Sequence, residues 1–314
     1  MFRLVLGLVF GLCASAGAQD LRLYTMGSGD VSGSYYAAAA AICDATNRAE
    51  RGNLRCSPEA TPGSIYNLES LRGGQIDFAL LQSDVQRMAL SSEGPFEGQP
   101  PFEDLRAVMS LYPETLTILA RADAHILSLG GLLGKRIDIG LPASGRRATI
   151  MRLLEAVGYD RSQFAALLEL PAGAGLDELC AGRIDATVLI VGHPNAGVAR
   201  AIRDCDARLV PVSGPQVRAF LQANPDYVHA SIPRIPYGHK GRTQTFAVVA
   251  TLVTRAETPD DIVNAIVRHV LENMTLVGLS ASVLENLSPR GMRDTGLAAP
   301  LHPGAVAAFD SAIK

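Results

Sequence analysis

Apolar positions along the chain fall in short runs, and each run stops at glycines or polar residues. The stretch "LRLYTMGSGDVSGSYY", Leu21 to Tyr36, shows the unit. Leu21, Leu23 and Tyr24 give a strand pattern, a glycine-rich loop follows, and "YYAAAAAICDAT" reads as a helix. A second unit lies in "KRIDIGLPASGRRATIMRLLEAVG", with a strand at Ile137–Ile139, a loop at Gly140–Gly145 and a helix from about Arg146. Downstream of each unit comes a faint repeat. "LRGGQIDFALLQSD" (Leu71 to Asp84) and "LCAGRIDATVLIVGH" (Leu179 to His193) share Leu-x-x-Gly-x-Ile-Asp and then an apolar run. Each copy predicts a helix closed by a glycine (Gly74, Gly182), a turn with an aspartate, a strand, and polar residues at the strand's end.

The pattern therefore predicts two similar α/β lobes. In open α/β sheets, ligands sit beyond the carboxyl ends of the strands. Two lobes facing each other would form a cleft from Gly27–Tyr36, Leu81–Asp84, Leu141–Thr149 and Val191–Asn195. Two apolar runs, Leu116–Arg121 and Phe246–Thr254, are expected to cross between lobes as a hinge. Residues 19–120 with 240–314 would form the first lobe and 121–239 the second. The tail "PDDIVNAIVRHVLENMTLV" reads as one amphipathic helix packed on the first lobe.

Composition changes this picture at two points. The chain begins "MFRLVLGLVFGLCASAGAQD", with Arg3, an apolar run Leu4–Leu12 and a small-residue site at Ala16-Gly17-Ala18. That is the pattern of a secretory signal peptide over residues 1–18, and it places the mature protein in a bacterial periplasm. Cys43, Cys56, Cys180 and Cys205 remain after the signal, an even count in an oxidising compartment. Three pairings are open, and proximity in sequence favours Cys43–Cys56 and Cys180–Cys205. No cysteine pair has zinc spacing and the histidines are scattered, so no metal is expected. A net charge of −3 offers no surface for nucleic acid.

Several blocks are familiar in their order: "RCSPEATPGSIYNLESLRGGQIDFALLQSDVQ", "LPASGRRAT", "IVGHPNAGV" and "GLAAPLHPGA". The chain resembles the solute-binding subunits of TRAP transporters, specifically the TAXI family, from about Leu21 to the C-terminus. The resemblance implies a two-lobed periplasmic binding protein of type II fold. Such a protein captures a small organic acid, a carboxylate or amino-acid-like solute, and delivers it to the membrane permease subunits of a TRAP transporter driven by an ion gradient. It implies no catalysis and no cofactor, and the protein is expected to act as a monomer. The family pattern is neutral where this chain has Asp30 and Arg146.

The first loop comes close to a dinucleotide fingerprint at Gly27, Gly29 and Gly33. In a periplasm, where nucleotides are scarce, a carboxylate is the better occupant. Backbone N–H groups with Ser28, Gly29, Ser32, Gly33 and the wall residue Tyr35 would supply the contacts. A plain capped turn is the competing reading. In the second loop, Ser144, Gly145 and Arg147 are the candidates. Adjacent helical residues point about 100° apart, so one arginine is expected to reach the solute. Arg147 is preferred as the carboxylate clamp, with Arg146 a solvated surface charge. Gln82, whose amide donates and accepts, is the candidate at the end of the first repeat, with Asp84 a helix cap. His193 and Asn195 are the candidates at the end of the second. Tyr36 and Tyr237 are further candidates for cleft walls. Asp30, facing the cleft, would favour an amino or hydroxy acid over a plain dicarboxylate. The competing functions are a periplasmic hydrolase acting through Ser144, which lacks a Gly-x-Ser-x-Gly elbow, and presentation of the solute to a membrane sensor kinase.

Overall fold

The computed structural model describes residues 21–50 and 53–313. The signal peptide expected at residues 1–18 lies outside the described residues. The strands are β1 (Arg22–Gly27), β2 (Leu54–Glu59), β3 (Phe78–Gln82), β4 (Leu105–Arg121), β5 (Arg136–Asp138), β6 (Ala166–Leu168), β7 (Ala186–Val191), β8 (Ala207–Val210), β9 (Val228–Pro233) and β10 (Arg242–Arg255). The helices that matter for the site are α1 (Ser34–Ala49), α2 (Ser64–Arg72), α3 (Ser83–Ser91), α4 (Gly145–Ala156), α5 (Ala172–Cys180) and α6 (Ala196–Cys205). Behind them lie α7 (Pro215–Ala223), α8 (Asp260–Glu272) and α9 (Met274–Ser280).

The sheet runs β2-β1-β3-β10-β4-β7-β5-β6, with β8 on β4 and β9 on β10. Its ends are parallel, as strand–helix–strand connections require: β1 pairs with β2 and β3, and β5 with β6 and β7. Its middle is antiparallel and belongs to two long strands. β10 pairs with β3 through Ala250–Thr254 and with β9 through Arg242–Ala247. β4 pairs with β10 through Leu105–Thr115 and with β7 through Thr115–Ala120. Each strand therefore serves one lobe with one half and the other lobe with the other half. The β4–β10 ladder carries register shifts at Ala250/Thr251 and Leu252/Val253. Such bulges bend a strand and increase its twist, which suits a crossing between lobes. The fold is thus the two-lobed α/β form with a cleft and crossing strands.

Helices cover both faces of each half-sheet, and the apolar residues divide accordingly. Met26, Ile42, Phe78 and Ile266 share one core, and Leu68, Leu81 and Val85 lie on the sheet's other face. In the second lobe, Ile137, Leu153, Val188 and Phe220 form one core, and Leu176, Leu179 and Val198 the other. Each such side chain buried from water contributes about 1.5–3 kcal/mol. Both disulfides are those favoured by sequence proximity. Cys43–Cys56 ties α1 to β2 across a Cα–Cα distance of 4.9 Å, and Cys180–Cys205 ties the ends of α5 and α6 across 5.1 Å. Each contributes about 3 kcal/mol by limiting the unfolded chain.

The C-terminal tail departs from the single helix its periodicity predicts. It breaks at Asn273 into α8 and α9, which meet at 82°. Asn273 leaves helical geometry at φ −122°, and its side-chain amide donates to the His269 carbonyl at 2.9 Å. An asparagine that satisfies a freed carbonyl in this way competes with the helix.

Candidate functional site

The first loop is held from below. Gly27, the last residue of β1, packs so tightly that a Cβ there would lie 2.6 Å from Ile76 Cδ1 and 2.9 Å from Asn67 Oδ1. Ser28 is buried. Its hydroxyl donates to the Glu59 carbonyl at 2.5 Å, and its own carbonyl accepts from Asn67 Nδ2 at 2.7 Å. Ser28 therefore anchors the loop and has no donor left for a solute. Asp30 turns back on its own loop: its carboxylate accepts from Ser32 N at 2.8 Å and from the Ser32 hydroxyl. Ser32 is consumed in that turn. Gly33 closes it by donating to the Asp30 carbonyl at 2.8 Å, and α1 begins.

Four helices start around one cavity of about 120 Å³. Gly33–Ser34 opens α1, Gly63–Ser64 opens α2, Ser144–Gly145 opens α4 and Pro171–Ala172 opens α5, and all eight residues line the cavity. The first N–H groups of a helix have no partner within it. Among the described residues no side chain caps α1, α2 or α5. Ser144 caps α4 by accepting from Arg147 N at 3.4 Å, while its hydroxyl donates to the Leu141 carbonyl at 2.6 Å. That bond makes Ser144 a cap, with its proton committed to the backbone. Unpartnered N–H groups and helix dipoles converging on one point favour an anion.

The cleft is closed. Tyr66 N on α2 donates across it to the Ala143 carbonyl at 3.0 Å. Gln82 reaches Thr149 on α4, Nε2 to Oγ1, at 3.2 Å. A Cβ on Gly145 would lie 1.7 Å from Gln82 Oε1, so the approach of Gln82 requires glycine there. Asp84, expected as a cap on α3, is fully buried and accepts from Thr149 Oγ1 at 2.7 Å and from Tyr227 OH at 2.9 Å. Burial raises its pKa above the ordinary carboxylate value, and the two hydroxyls oppose that rise.

Arg146 and Arg147, at the start of α4, occupy places opposite to those expected. Arg147 turns outward, pairs with Glu169 at 2.8 Å, and lines a separate groove. Arg146 is the buried one. It lines the cavity, pairs with Asp138 at 3.2 Å, and donates to the carbonyls of Val188, at 2.8 Å, and Leu170. The 100° between neighbours on a helix sends Arg146 towards the strand ends, where Asp138 waits without solvent. Asp138 also accepts from Gly140 N at 3.0 Å, Leu170 N at 3.1 Å and Thr187 Oγ1 at 2.7 Å. Gly140 has φ +93°, and a Cβ there would lie 2.2 Å from Arg146 Nε. Arg146 is therefore a strut that ties the end of β5 to the middle of β7 and to the loop after β6. Its charge is answered by Asp138.

His193 and Asn195 are likewise engaged elsewhere. His193 meets Thr117 Oγ1 at 2.9 Å through Nε2 and Tyr237 OH through Nδ1. Burial pushes its pKa down to about 4, so it is neutral at pH 7. Asn195 caps α6 by accepting from Val198 N at 3.0 Å, and its own N–H donates to Tyr237 OH at 2.9 Å. Tyr237 holds this turn in place of walling the cleft, and Tyr36 is not on the cavity either. Of the residues expected at the site, Gly29, Gly33, Tyr35, Gln82, Ser144 and Gly145 meet at the cavity, and Asp30, expected to face the cleft, lines it too; Ser28, Ser32, Arg147, His193 and Asn195 do not. Glu114 was missed. It lies on β4 inside an apolar run, where a single acid carries no pattern of its own.

A model of the NMT1-like family matches residues 26–311. Among solved structures, MatC from Rhodopseudomonas palustris with bound malate is 14% identical, with a TM-score of 0.61 over 93% of this chain and 99% of MatC. The alkanesulfonate-binding protein SsuA from Xanthomonas axonopodis pv. citri, bound to MOPS, is 15% identical, with a TM-score of 0.50 over 92% of this chain and 90% of SsuA. A protein of Xanthomonas citri bound to ATP is 14% identical, with a TM-score of 0.50 over 92% of this chain and 94% of its own. These likenesses show the fold. The molecules bound in those three proteins, malate, MOPS and ATP, differ widely.

Proposed function

Because the chain belongs to the NMT1-like family, as its match over residues 26–311 shows, we propose that it is a periplasmic solute-binding protein for a small organic acid. The carrying observation is the convergence of four helix N-termini, three of them without a side-chain cap, on one closed cavity. Such a site binds a carboxylate through backbone donors and needs no free arginine. The match of Arg146 to Asp138, and of Arg147 to Glu169, leaves this task to the helix starts. The colinear blocks that resemble TAXI proteins support delivery to a TRAP-type permease, with the protein acting as a monomer. Lobes of 19–120 with 240–314 and of 121–239 would move about β4 and β10. The committed proton of Ser144 and the engagement of His193 by Thr117 and Tyr237 favour binding over hydrolysis.

The test is differential scanning fluorimetry of the mature protein against carboxylates, followed by isothermal titration calorimetry of each hit. The reading expects saturable stabilisation by at least one acid, without turnover. A solute that binds only to the conformation with closed lobes should also compact the protein in small-angle scattering. No thermal shift with any carboxylate at millimolar concentration would overturn the reading.

A further inference from the structure

We propose that Glu114 is a specificity-determining residue of this cleft, selecting solutes that carry an ammonium or hydroxyl group beside their carboxylate over bare carboxylic acids. The inference rests on the organic-acid reading and adds which acids the cleft prefers.

Glu114 sits on β4 one residue before Thr115, where pairing passes from β10 to β7, and so on the floor between the lobes. It is 2% exposed and lines the cavity. Tyr35 OH, from the first turn of α1, donates to Glu114 Oε2 at 2.8 Å. Among the described residues no hydrogen bond reaches Oε1, and no arginine, lysine or histidine pairs with the carboxyl. Tyr112, on the same face of β4, is also buried, and its hydroxyl has no partner. The other acids near the cleft are placed differently. Asp30 also lines the cavity, but it is only half-buried and its Oδ1 is held by Ser32; Asp138 is taken by Arg146, and Asp84 by Thr149 and Tyr227.

A buried carboxyl with one engaged oxygen and one free oxygen facing a cavity is half of a hydrogen-bonding site. Burial away from any cation holds Glu114 well above the ordinary carboxylate range. Burial thereby favours the protonated form of this carboxyl in the empty cleft. A solute hydroxyl can exchange hydrogen bonds with the free end of this acid. A solute ammonium can instead pair with the carboxylate, and the displaced proton leaves to solvent. A bare methylene does neither, and leaves a buried polar group without a partner. The resulting discrimination is roughly 5- to 100-fold in affinity, the range expected for one unsatisfied buried group. The carboxylate of the same solute faces the helix starts, where the donors are.

Calorimetry with the full mature protein tests this on two matched series: succinate, L-malate and L-aspartate; glutarate, 2-hydroxyglutarate and L-glutamate. In the wild type, a hydroxy or amino member should bind roughly 5- to 100-fold more tightly than the bare acid of the same series. Glu114→Leu should bring that ratio towards one. Glu114→Gln, which keeps the shape, should retain the hydroxyl preference and lose the ammonium preference, and it serves if the leucine variant does not fold. A wild type that binds these acids without preference, or a Glu114→Gln variant that keeps the ammonium preference, overturns this inference alone. Binding of no member of either series overturns the organic-acid reading, and the inference with it.

Discussion

The two repeat copies are built alike below the sheet and differently above it. In the first, Asp77 accepts from Thr25 N at the neighbouring β1, at 2.8 Å. In the second, Asp185 accepts from Arg136 N at the neighbouring β5, at 2.9 Å. Gly74 and Gly182 have φ of +69° and +73°, where glycine is favoured. An arginine closes each copy: Arg255, ending β10, donates to the Leu71 carbonyl, and Arg121, ending β4, donates to the Gly182 carbonyl, both at 2.7 Å. The shared Gly-x-Ile-Asp is thus a device for joining a helix to the base of a sheet. At the other ends the copies part. Gln82 and Asp84 reach across the cleft to α4 and Tyr227, while His193 and Asn195 bind their own lobe. A repeat in sequence reports the scaffold, and the free ends of the same strands are where the two lobes take separate tasks.

The difference is measurable. The largest effect is expected from Asp84→Ala, which leaves the buried hydroxyls of Thr149 and Tyr227 without their acceptor. The cost should be about 2–4 kcal/mol in urea unfolding. Small-angle scattering should also show a larger radius, since both partners lie across the cleft. Equal compactness in wild type and variant would show that Asp84 does not hold the lobes together.

Next comes His193, whose effect should depend on pH. Its folded pKa of about 4 lies below the ordinary 6.5. The unfolded state therefore binds the proton more tightly. The stabilising contribution is complete above pH 6.5 and is lost as pH falls through 4. It should amount to roughly 1–3 kcal/mol, the lower part of the range reflecting the ring's partial exposure. His193→Gln should flatten the stability profile between pH 7 and 4. Parallel profiles for the two proteins would contradict the neutral, buried assignment.

How much of this was legible depends on whether a residue's role is local. The glycine-closed helices, the strand ends and the crossing strands could be read because periodicity and Gly-x-Ile-Asp are local signals. The disulfide pairs followed from proximity, since α1 and β2, and α5 and α6, are neighbours in both chain and space. The choice between Arg146 and Arg147 was not legible. It depends on Asp138, and that residue's burial is set by strands β6 and β7, far along the chain. Glu114 was hidden for the same reason: its partner Tyr35 is 79 residues away. Asp30 stands out in the sequence as a charge in a loop that is otherwise neutral, and it does line the cavity, although its Oδ1 is held by its own turn.

A smaller effect is expected at the end of the second copy. Asn195→Ala removes the cap of α6 and should cost about 1 kcal/mol. Calorimetry should find the solute affinity unchanged, because the side chain does not reach the cavity. A weakened affinity would return the second copy's end to the cleft and erase the contrast with Gln82.

The smallest effect should come from Arg147, the residue whose sequence context marked it as the clamp. Its pair with Glu169 leaves the two side chains 28% and 30% exposed. Ion pairs at that exposure contribute about 0–1 kcal/mol and are screened by salt. Arg147→Ala should therefore lower stability by less than about 1 kcal/mol. It should change affinity for any organic acid less than about twofold at physiological ionic strength, where charges beyond about 8 Å are screened. Arg146 cannot serve as a substitute clamp, because its donors already meet Asp138 and the Val188 and Leu170 carbonyls. If Arg147→Ala abolished binding, the guanidinium would have to leave Glu169 and swing into the cleft with the solute. Recognition would then rest on a charged clamp in the second lobe. If affinity holds, the helix starts carry the anion, and Arg146 and Arg147 serve the scaffold and the surface.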